Sequence, residues 1–150
     1  MRTSLLACTM ALTLGLGAPA VGEPWVDWQP TQGFWAMRVI KVDPNKIDDY
    51  LVGLKEGWVP GQEIARKNGL IDDYKIMVNT ARASSMANVV LMTHFPSAAA
   101  LEPNKARDMK IRKEELSAVP KQRQDELVAG YDKMRTFVDD GIWQEVKIIK

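Results

Sequence analysis

The sequence has little of the chemistry on which metal and thiol sites depend. Its 150 residues include one histidine, His94, and one cysteine, Cys8. A single histidine and a single cysteine cannot supply the several ligands of a zinc site built within one chain. The charges almost cancel, with 20 basic against 19 acidic residues. A near-neutral chain lacks the strong positive field that attracts nucleic-acid phosphates, so we expect no nucleic-acid partner.

The first 22 residues have the pattern of a secretory signal peptide. Arg2 precedes an apolar run from Leu5 to Leu16, and the small residues Ala18-Pro19-Ala20 follow. This run is shorter than the roughly 20 residues that a membrane-spanning helix needs. We therefore expect cleavage after Ala20 or Gly22, a periplasmic or secreted protein, and no stable membrane insertion afterwards. The alternative is an uncleaved N-terminal tail or anchor.

The rest of the chain is long enough for one domain. No Gly-x-Gly-x-x-Gly, phosphate-loop or Gly-x-Ser-x-Gly pattern follows the predicted signal peptide, so the common nucleotide and serine-hydrolase motifs are missing. Residues 23–33 predict an extended leader because two prolines and a glycine oppose helix there. Residues 34–150 predict a single α+β domain.

Four segments of that domain are rich in the β-branched and aromatic residues typical of strands. They are Phe34–Val42, Ile71–Asn79, Asn88–Phe95 and Ile142–Lys150. A polar connection, residues 80–87, separates the second strand from the third.

Helical spacing of apolar residues lies between these strands. Asp43-Pro44 predicts the start of a first helix. Its apolar face consists of Ile47, Tyr50, Leu51, Leu54 and Trp58. Pro60-Gly61 predicts an interruption, after which 62–68 resume the helix.

The second helical region is predicted in two parts. Residues 98–118 contain helical stretches broken by Pro103, and a clearer helix covers 120–138. Its apolar face consists of Leu127, Tyr131, Met134 and Val138. The order β-α-β-β-α-β predicts a four-stranded antiparallel sheet with helices on one face. The other face would be bare, so we expect a second copy of the chain to cover it.

Several segments carry a resemblance to a known family. They are the Asp43-Pro44 helix start, Asn68–Tyr74 entering a strand, and Asn88–Thr93 followed by Phe95-Pro96-Ser97. Together with the element order, residues 34–150 resemble the dimeric α+β barrel superfamily of ferredoxin-like domains. That group includes antibiotic-biosynthesis-type monooxygenases, haem-degrading and chlorite-dismutase-like proteins, and NIPSNAP-like proteins. The resemblance implies a homodimer with facing sheets and leaves the activity open, because one fold hosts many functions.

Strand alternation indicates which polar side chains reach the cavity between such sheets. The first strand is expected between the third and fourth, which would bring Arg38 near His94 and Glu145. His94 is the candidate catalytic base. The candidate ligand-binding residues are Arg38, Lys75, Trp58, Trp143 and Glu145. A few polar groups in an apolar pocket are typical of small-molecule sites. The alternative is a cross-strand Arg38–Glu145 pair beside a hydrogen-bonded histidine.

Three functional hypotheses follow. The first is an exported homodimer that binds a small apolar molecule in the cavity between its sheets, without a cofactor, or has a purely structural role. The second is a cofactor-independent monooxygenase or related oxidoreductase with His94 as general base. The third is a haem-binding protein with His94 as axial ligand. The resemblance weighs against haem because haem-handling relatives take their axial histidine from nearer the second helix.

Overall fold

The computed structural model describes residues 22–80 and 87–149. The predicted signal peptide, except for Gly22, and most of the predicted polar connection therefore lie outside the described residues. Within those two ranges, no helix is both long and apolar enough to cross a bilayer.

Strands and helices follow one another in the expected α+β order. The strands are β1 (Trp28–Pro30), β2 (Phe34–Val42), β3 (Asp73–Val78), β4 (Val89–Phe95), β5 (Arg135–Trp143) and β6 (Val146–Ile148). The helices are α1 (Ile47–Glu56), α2 (Trp58–Lys67), α3 (Ala98–Leu101), α4 (Lys105–Ala118) and α5 (Lys121–Asp132). A 3₁₀ turn, Pro44–Lys46, precedes α1, and the Asp43 carboxylate accepts a hydrogen bond from the Asn45 backbone N–H at its start.

The main sheet has the strand order β3-β4-β2-β5, and every neighbouring pair in it is antiparallel. The first strand of this sheet in chain order, β2, lies between the third, β4, and the fourth, β5, as predicted. This order is that of the ferredoxin-like split βαβ fold, so the predicted fold class is confirmed. Because β2 and β4 are the central strands, their side chains form the middle of both faces of the sheet.

The predicted boundary between the last helix and the last strand is wrong. Helix α5 ends at Asp132 instead of continuing to Val138, and the fourth strand is Arg135–Trp143 instead of Ile142–Lys150. The helical spacing of Val138 is coincidental, because this segment forms a ladder with β2 from Val42↔Arg135 to Trp35↔Trp143. Long-range pairing of this kind overrides a local pattern.

A separate two-stranded ribbon forms where a plain leader was expected. Strand β1, from the predicted leader, pairs antiparallel with β6 near the end of the described chain. The ribbon keeps Ile148 and Val146 largely exposed. The two ends of the described chain are therefore tied together beside the main sheet.

The core lies between the sheet and the helices. Its fully buried side chains are Ile40, Val42, Tyr50, Leu54 and Val89. Trp58, Leu51 and Ile47 pack against it, so the predicted apolar face of α1 is confirmed. The predicted interruption lies earlier than expected, at Gly57, and Pro60 falls in the first turn of α2. Proline is tolerated there because the first-turn N–H groups have no helical acceptor.

The other face of the sheet carries apolar side chains that remain partly exposed. Register and alternation place Met37 and Val39 of β2, Val90 and Met92 of β4, and Met77 of β3 on this side. Met77 is 55% exposed. We call this side the open face, and its apolar centre is of the kind that a protein–protein contact covers.

Candidate functional site

A cavity of about 310 Å³ lies between the sheet and the helices. Leu91 and Arg135 line it from the sheet, Trp58 from α2, and Leu127 and Tyr131 from α5. This volume is at the lower end of the range that holds small organic ligands. The cavity is therefore on the helix side of the sheet, whereas the sequence interpretation expected a site between two facing sheets.

Two glycines help to leave this space empty. Gly57 ends α1 and Gly61 lies in α2, and both line the cavity. A methyl group at Gly61 would meet only the Glu115 Oε1 atom at 3.6 Å, an ordinary contact distance. The wall is thus open at Gly61, where a larger side chain would fill the cavity.

A second cavity of about 190 Å³ adjoins the first. The two share Arg38, Trp58, Gln62 and Leu91 in their walls. The two cavities therefore meet at these four side chains.

The guanidinium of Arg135 is a charged group in the cavity wall that has few polar partners. Its Nη1 atom donates to the Tyr50 hydroxyl at 2.7 Å, and its guanidinium carbon lies 4.6 Å from the Phe137 ring centroid and 4.8 Å from that of Tyr131. Its buried Nε atom has no hydrogen-bond partner, and it forms no ion pair with the described residues. Aromatic faces attract a cation but cannot accept strong N–H hydrogen bonds, so the Nε donor of this guanidinium remains unused.

Tyr131 is a second buried donor beside that arginine. Its side chain is buried and its hydroxyl has no hydrogen-bond partner among the described residues. Burial, followed by the nearby Tyr50 hydroxyl, raises the pKa of Tyr131 to about 12. Burial also raises the pKa of Tyr50. Both phenols therefore stay protonated near neutral pH and can donate hydrogen bonds.

Arg38 does not meet the residues predicted to accompany it. Its Nε and Nη2 atoms donate to the Asp140 Oδ2 atom at 3.1 and 3.0 Å. Arg38 pairs with Leu91 across the ladder, on the face opposite His94. Glu145 follows β5, and its backbone oxygen accepts from the Thr31 backbone N–H and hydroxyl at 2.9 and 3.1 Å. The predicted Arg38–His94–Glu145 grouping is therefore wrong.

His94 is part of a different cluster, on the open face at one end of the sheet. Its Nδ1 atom lies 2.5 Å from the Asp72 Oδ1 atom, and its ring lies 4.7 Å from the Trp35 ring. The Lys75 Nζ atom lies 4.5 Å from the centroid of the Trp35 ring, and Trp143 pairs with Trp35 across the ladder. Three of the predicted site residues, His94, Lys75 and Trp143, therefore lie around Trp35 on this face. Asp72 and Trp35 were not predicted as site residues.

The predicted site residues therefore lie on two sides of the sheet, with His94, Lys75 and Trp143 on the open face. Arg38 and Trp58 line the helix-side cavity. Arg135 and Tyr131 were not predicted as site residues. The expected helix over 120–138 concealed Arg135, and Tyr131 fitted an ordinary apolar helix face.

Metal and haem chemistry have little support at the helix-side cavity. Within residues 22–80 and 87–149, no three histidine, cysteine or acidic side chains cluster in a way that could hold a metal ion. The single histidine of the chain lies on the other face of the sheet, in contact with Asp72. The cavity therefore has no imidazole that could act as an axial haem ligand.

Tyr50 in the core and Tyr131 in the cavity wall should respond differently when their hydroxyl groups are removed. Tyr50→Phe takes away the acceptor of Arg135 Nη1 and should lower the free energy of unfolding by about 1–3 kcal/mol. Tyr131→Phe removes a hydroxyl without a described partner and should change it by less than about 1 kcal/mol, or raise it. Urea denaturation of both variants measures these values. Equal losses would contradict the described hydrogen bonding.

Comparisons with known proteins add little to this geometry. Neither protein-family models nor curated proteins match the sequence. A solved structure with similarity is that of a dimeric ferredoxin-like protein of unknown function from Thermobifida fusca YX. It is 8% identical, with 76% of this chain and 90% of that chain covered, at a TM-score of 0.40. The fold assignment rests on the strand order described above.

Proposed function

We propose that this protein binds a small, largely apolar molecule in the cavity between its sheet and its helices. The observation that carries the proposal is the cavity of about 310 Å³, whose lining is largely apolar and includes a few polar groups, Arg135 and Tyr131 among them. Ligand sites commonly combine apolar lining with a small number of positioned polar groups. The proposal keeps the ligand class expected from the sequence and moves the site to the helix side.

Binding is favoured over catalysis at this site. The monooxygenase hypothesis depends on His94 as a base, and His94 lies on the open face beside Asp72 and Trp35. A general base must come within hydrogen-bond reach of the proton that it removes. A ligand in the helix-side cavity is separated from His94 by the sheet itself.

We also propose that the protein is a homodimer related to the dimeric α+β barrel superfamily, with the open faces of two copies in contact. The apolar side chains Met37, Val90 and Met92 at the centre of this face support the proposal, as does the exposed Met77. A face of this kind on a single sheet is a hazard for aggregation unless a partner covers it. A two-fold contact would let the same surface serve both copies.

Export is a further part of the proposal. It is supported by the sequence pattern of Arg2, the apolar run Leu5–Leu16 and the small residues Ala18-Pro19-Ala20. The mature chain would then lack Cys8 and contain no thiol, which suits an oxidising compartment.

The cavity is tested by filling it from Gly61. Calorimetric titration of the purified protein with naphthalene-2-methanol, a neutral apolar compound, should show saturable binding. Gly61→Leu places a side chain in the cavity and should weaken this binding by about tenfold or more, because the ligand loses its apolar contacts.

The matched control is Gly130→Leu. Gly130 is also a helical glycine, it has open space around its Cβ position, and it does not line the cavity. This variant should bind the compound as the wild type does. Saturable binding that is equally tight in the wild type and the Gly61→Leu variant would overturn the proposed function.

A further inference from the structure

The charged groups around the helix-side cavity do not balance. The ionic side chains in its wall are Arg38, Glu115 and Arg135. Arg38 is paired with Asp140, and Glu115 lies 3.7 Å from Arg112. No carboxylate among the described residues pairs with Arg135. The wall therefore carries one positive charge that the described chain leaves uncompensated.

The position of that charge makes the imbalance costly. The Arg135 guanidinium lies over the rings of Tyr50, Tyr131 and Phe137, and its Nε atom is buried without a hydrogen-bond partner. Arg135 as a whole is half-buried, and withdrawing part of a charged group from water costs free energy unless another charge or hydrogen bonds compensate it. Cation–π contacts offset part of this cost, but they supply no acceptor for the remaining N–H groups.

The two side chains that carry the unpartnered donors are in contact. The Arg135 guanidinium carbon lies 4.8 Å from the Tyr131 ring centroid, and the Tyr131 hydroxyl is also buried without a partner. Its pKa of about 12 keeps it protonated and able to donate. Two unused donors on neighbouring side chains, one of them cationic, suit a group that only accepts hydrogen bonds and is negatively charged. An ionised carboxylate is such a group, and an arginine binds it through paired N–H bonds.

We propose that the ligand of this cavity is an apolar carboxylic acid whose carboxylate is bound by Arg135, with Tyr131 as a second donor. This inference rests on the proposed function and adds the chemical class of the ligand. The apolar remainder of the molecule lies against Trp58, Leu91 and Leu127. A single uncompensated arginine matches one negative charge, which favours a carboxylate over a doubly charged phosphate.

The test compares two compounds that share one ring system. Naphthalene-2-carboxylate and naphthalene-2-methanol are titrated separately into the purified protein at neutral pH. The wild type should bind the carboxylate at least about tenfold more tightly than the alcohol, because a charge-assisted pair forms with Arg135. Arg135→Met, which keeps an unbranched apolar side chain, should abolish this preference and leave the affinity for the alcohol within about threefold.

Two further variants test whether the carboxylate binds beside Arg135 or on the open face. Tyr131→Phe removes only an unpartnered hydroxyl, and it should reduce the preference several-fold in a folded protein. Lys75→Met removes a cation from the open face and should leave the preference unchanged. Should Lys75→Met abolish the preference while Arg135→Met retains it, the carboxylate binds elsewhere and the inference is overturned.

Different outcomes reject the carboxylate inference and the proposed function. If the wild type binds both compounds equally, or prefers the alcohol, the carboxylate inference fails and the cavity remains a binding site. If the wild type binds neither compound, the proposed function fails together with this inference.

Discussion

Replacing Gly33 with alanine should lower the free energy of unfolding by roughly 3 kcal/mol, from a left-handed backbone and a steric clash together. Gly33 has φ 86°, a conformation that residues with a Cβ atom rarely adopt. A Cβ atom there would lie 2.6 Å from the His94 ring and 2.7 Å from the Phe95 backbone oxygen. The ring can move only by leaving its contacts with Asp72 and Trp35, and the backbone oxygen cannot move without disturbing β4.

Gly69→Ala is the matched control for this prediction. Gly69 has φ 70°, and a Cβ atom there would have no neighbour within 4 Å. Its substitution should therefore cost only the backbone term, about 1 kcal/mol. Urea denaturation of both variants measures the difference. Equal losses in the two variants would show that the close approach of Gly33 to His94 and Phe95 is absent.

Replacing Met92 with glutamate should convert the proposed dimer into a monomer. Met92 lies at the centre of the open face, between Met37 on β2 and Lys75 on β3. The two-fold contact would bury two new carboxylates in an apolar interface, and each such burial costs several kcal/mol. The dissociation constant of the dimer should rise by at least about a hundredfold.

Met109→Glu is the control for the dimer experiment. Met109 is a methionine on α4 that is 64% exposed and lies away from the sheet. Light scattering after size-exclusion chromatography at micromolar concentration should give a dimer mass for the wild type and Met109→Glu, and a monomer mass for Met92→Glu. A monomer mass for the wild type, or a dimer mass for Met92→Glu, would refute contact through the open face.

The local signals in the sequence were sufficient for most of the fold. The apolar face of α1 can be predicted because Tyr50 and Leu54 recur at helical spacing, and in the structure both are buried in the core. Strand β4 can be predicted because its residues are apolar and β-branched, and in the structure it is a central strand. The boundary between α5 and β5 could not be predicted, since Val138 continues the helical spacing while its position is decided by pairing with a strand about a hundred residues earlier.

The candidate site was harder to predict for a related reason. Alternation within one strand shows which side chains share a face, but the pairing of strands decides which rows lie together. The register Trp35↔His94 puts His94 on the open face, whereas Arg38, three residues after Trp35, lies on the helix side. Arg135 was hidden by the misplaced helix end. The uncompensated charge at the cavity could therefore be found only from the three-dimensional contacts.

The central claim, that the ligand enters between the sheet and the helices, is tested most directly through the tryptophan side chains. Trp58 lines the cavity, whereas Trp35 and Trp143 belong to the open face. Their indole N–H signals in a nitrogen-15 correlation spectrum, assigned with Trp→Phe variants, can be followed while naphthalene-2-carboxylate is added. We predict that the Trp58 signal shifts saturably and that the signals of Trp35 and Trp143 stay in place. Saturable shifts of Trp35 and Trp143 with an unmoved Trp58 signal would contradict the account.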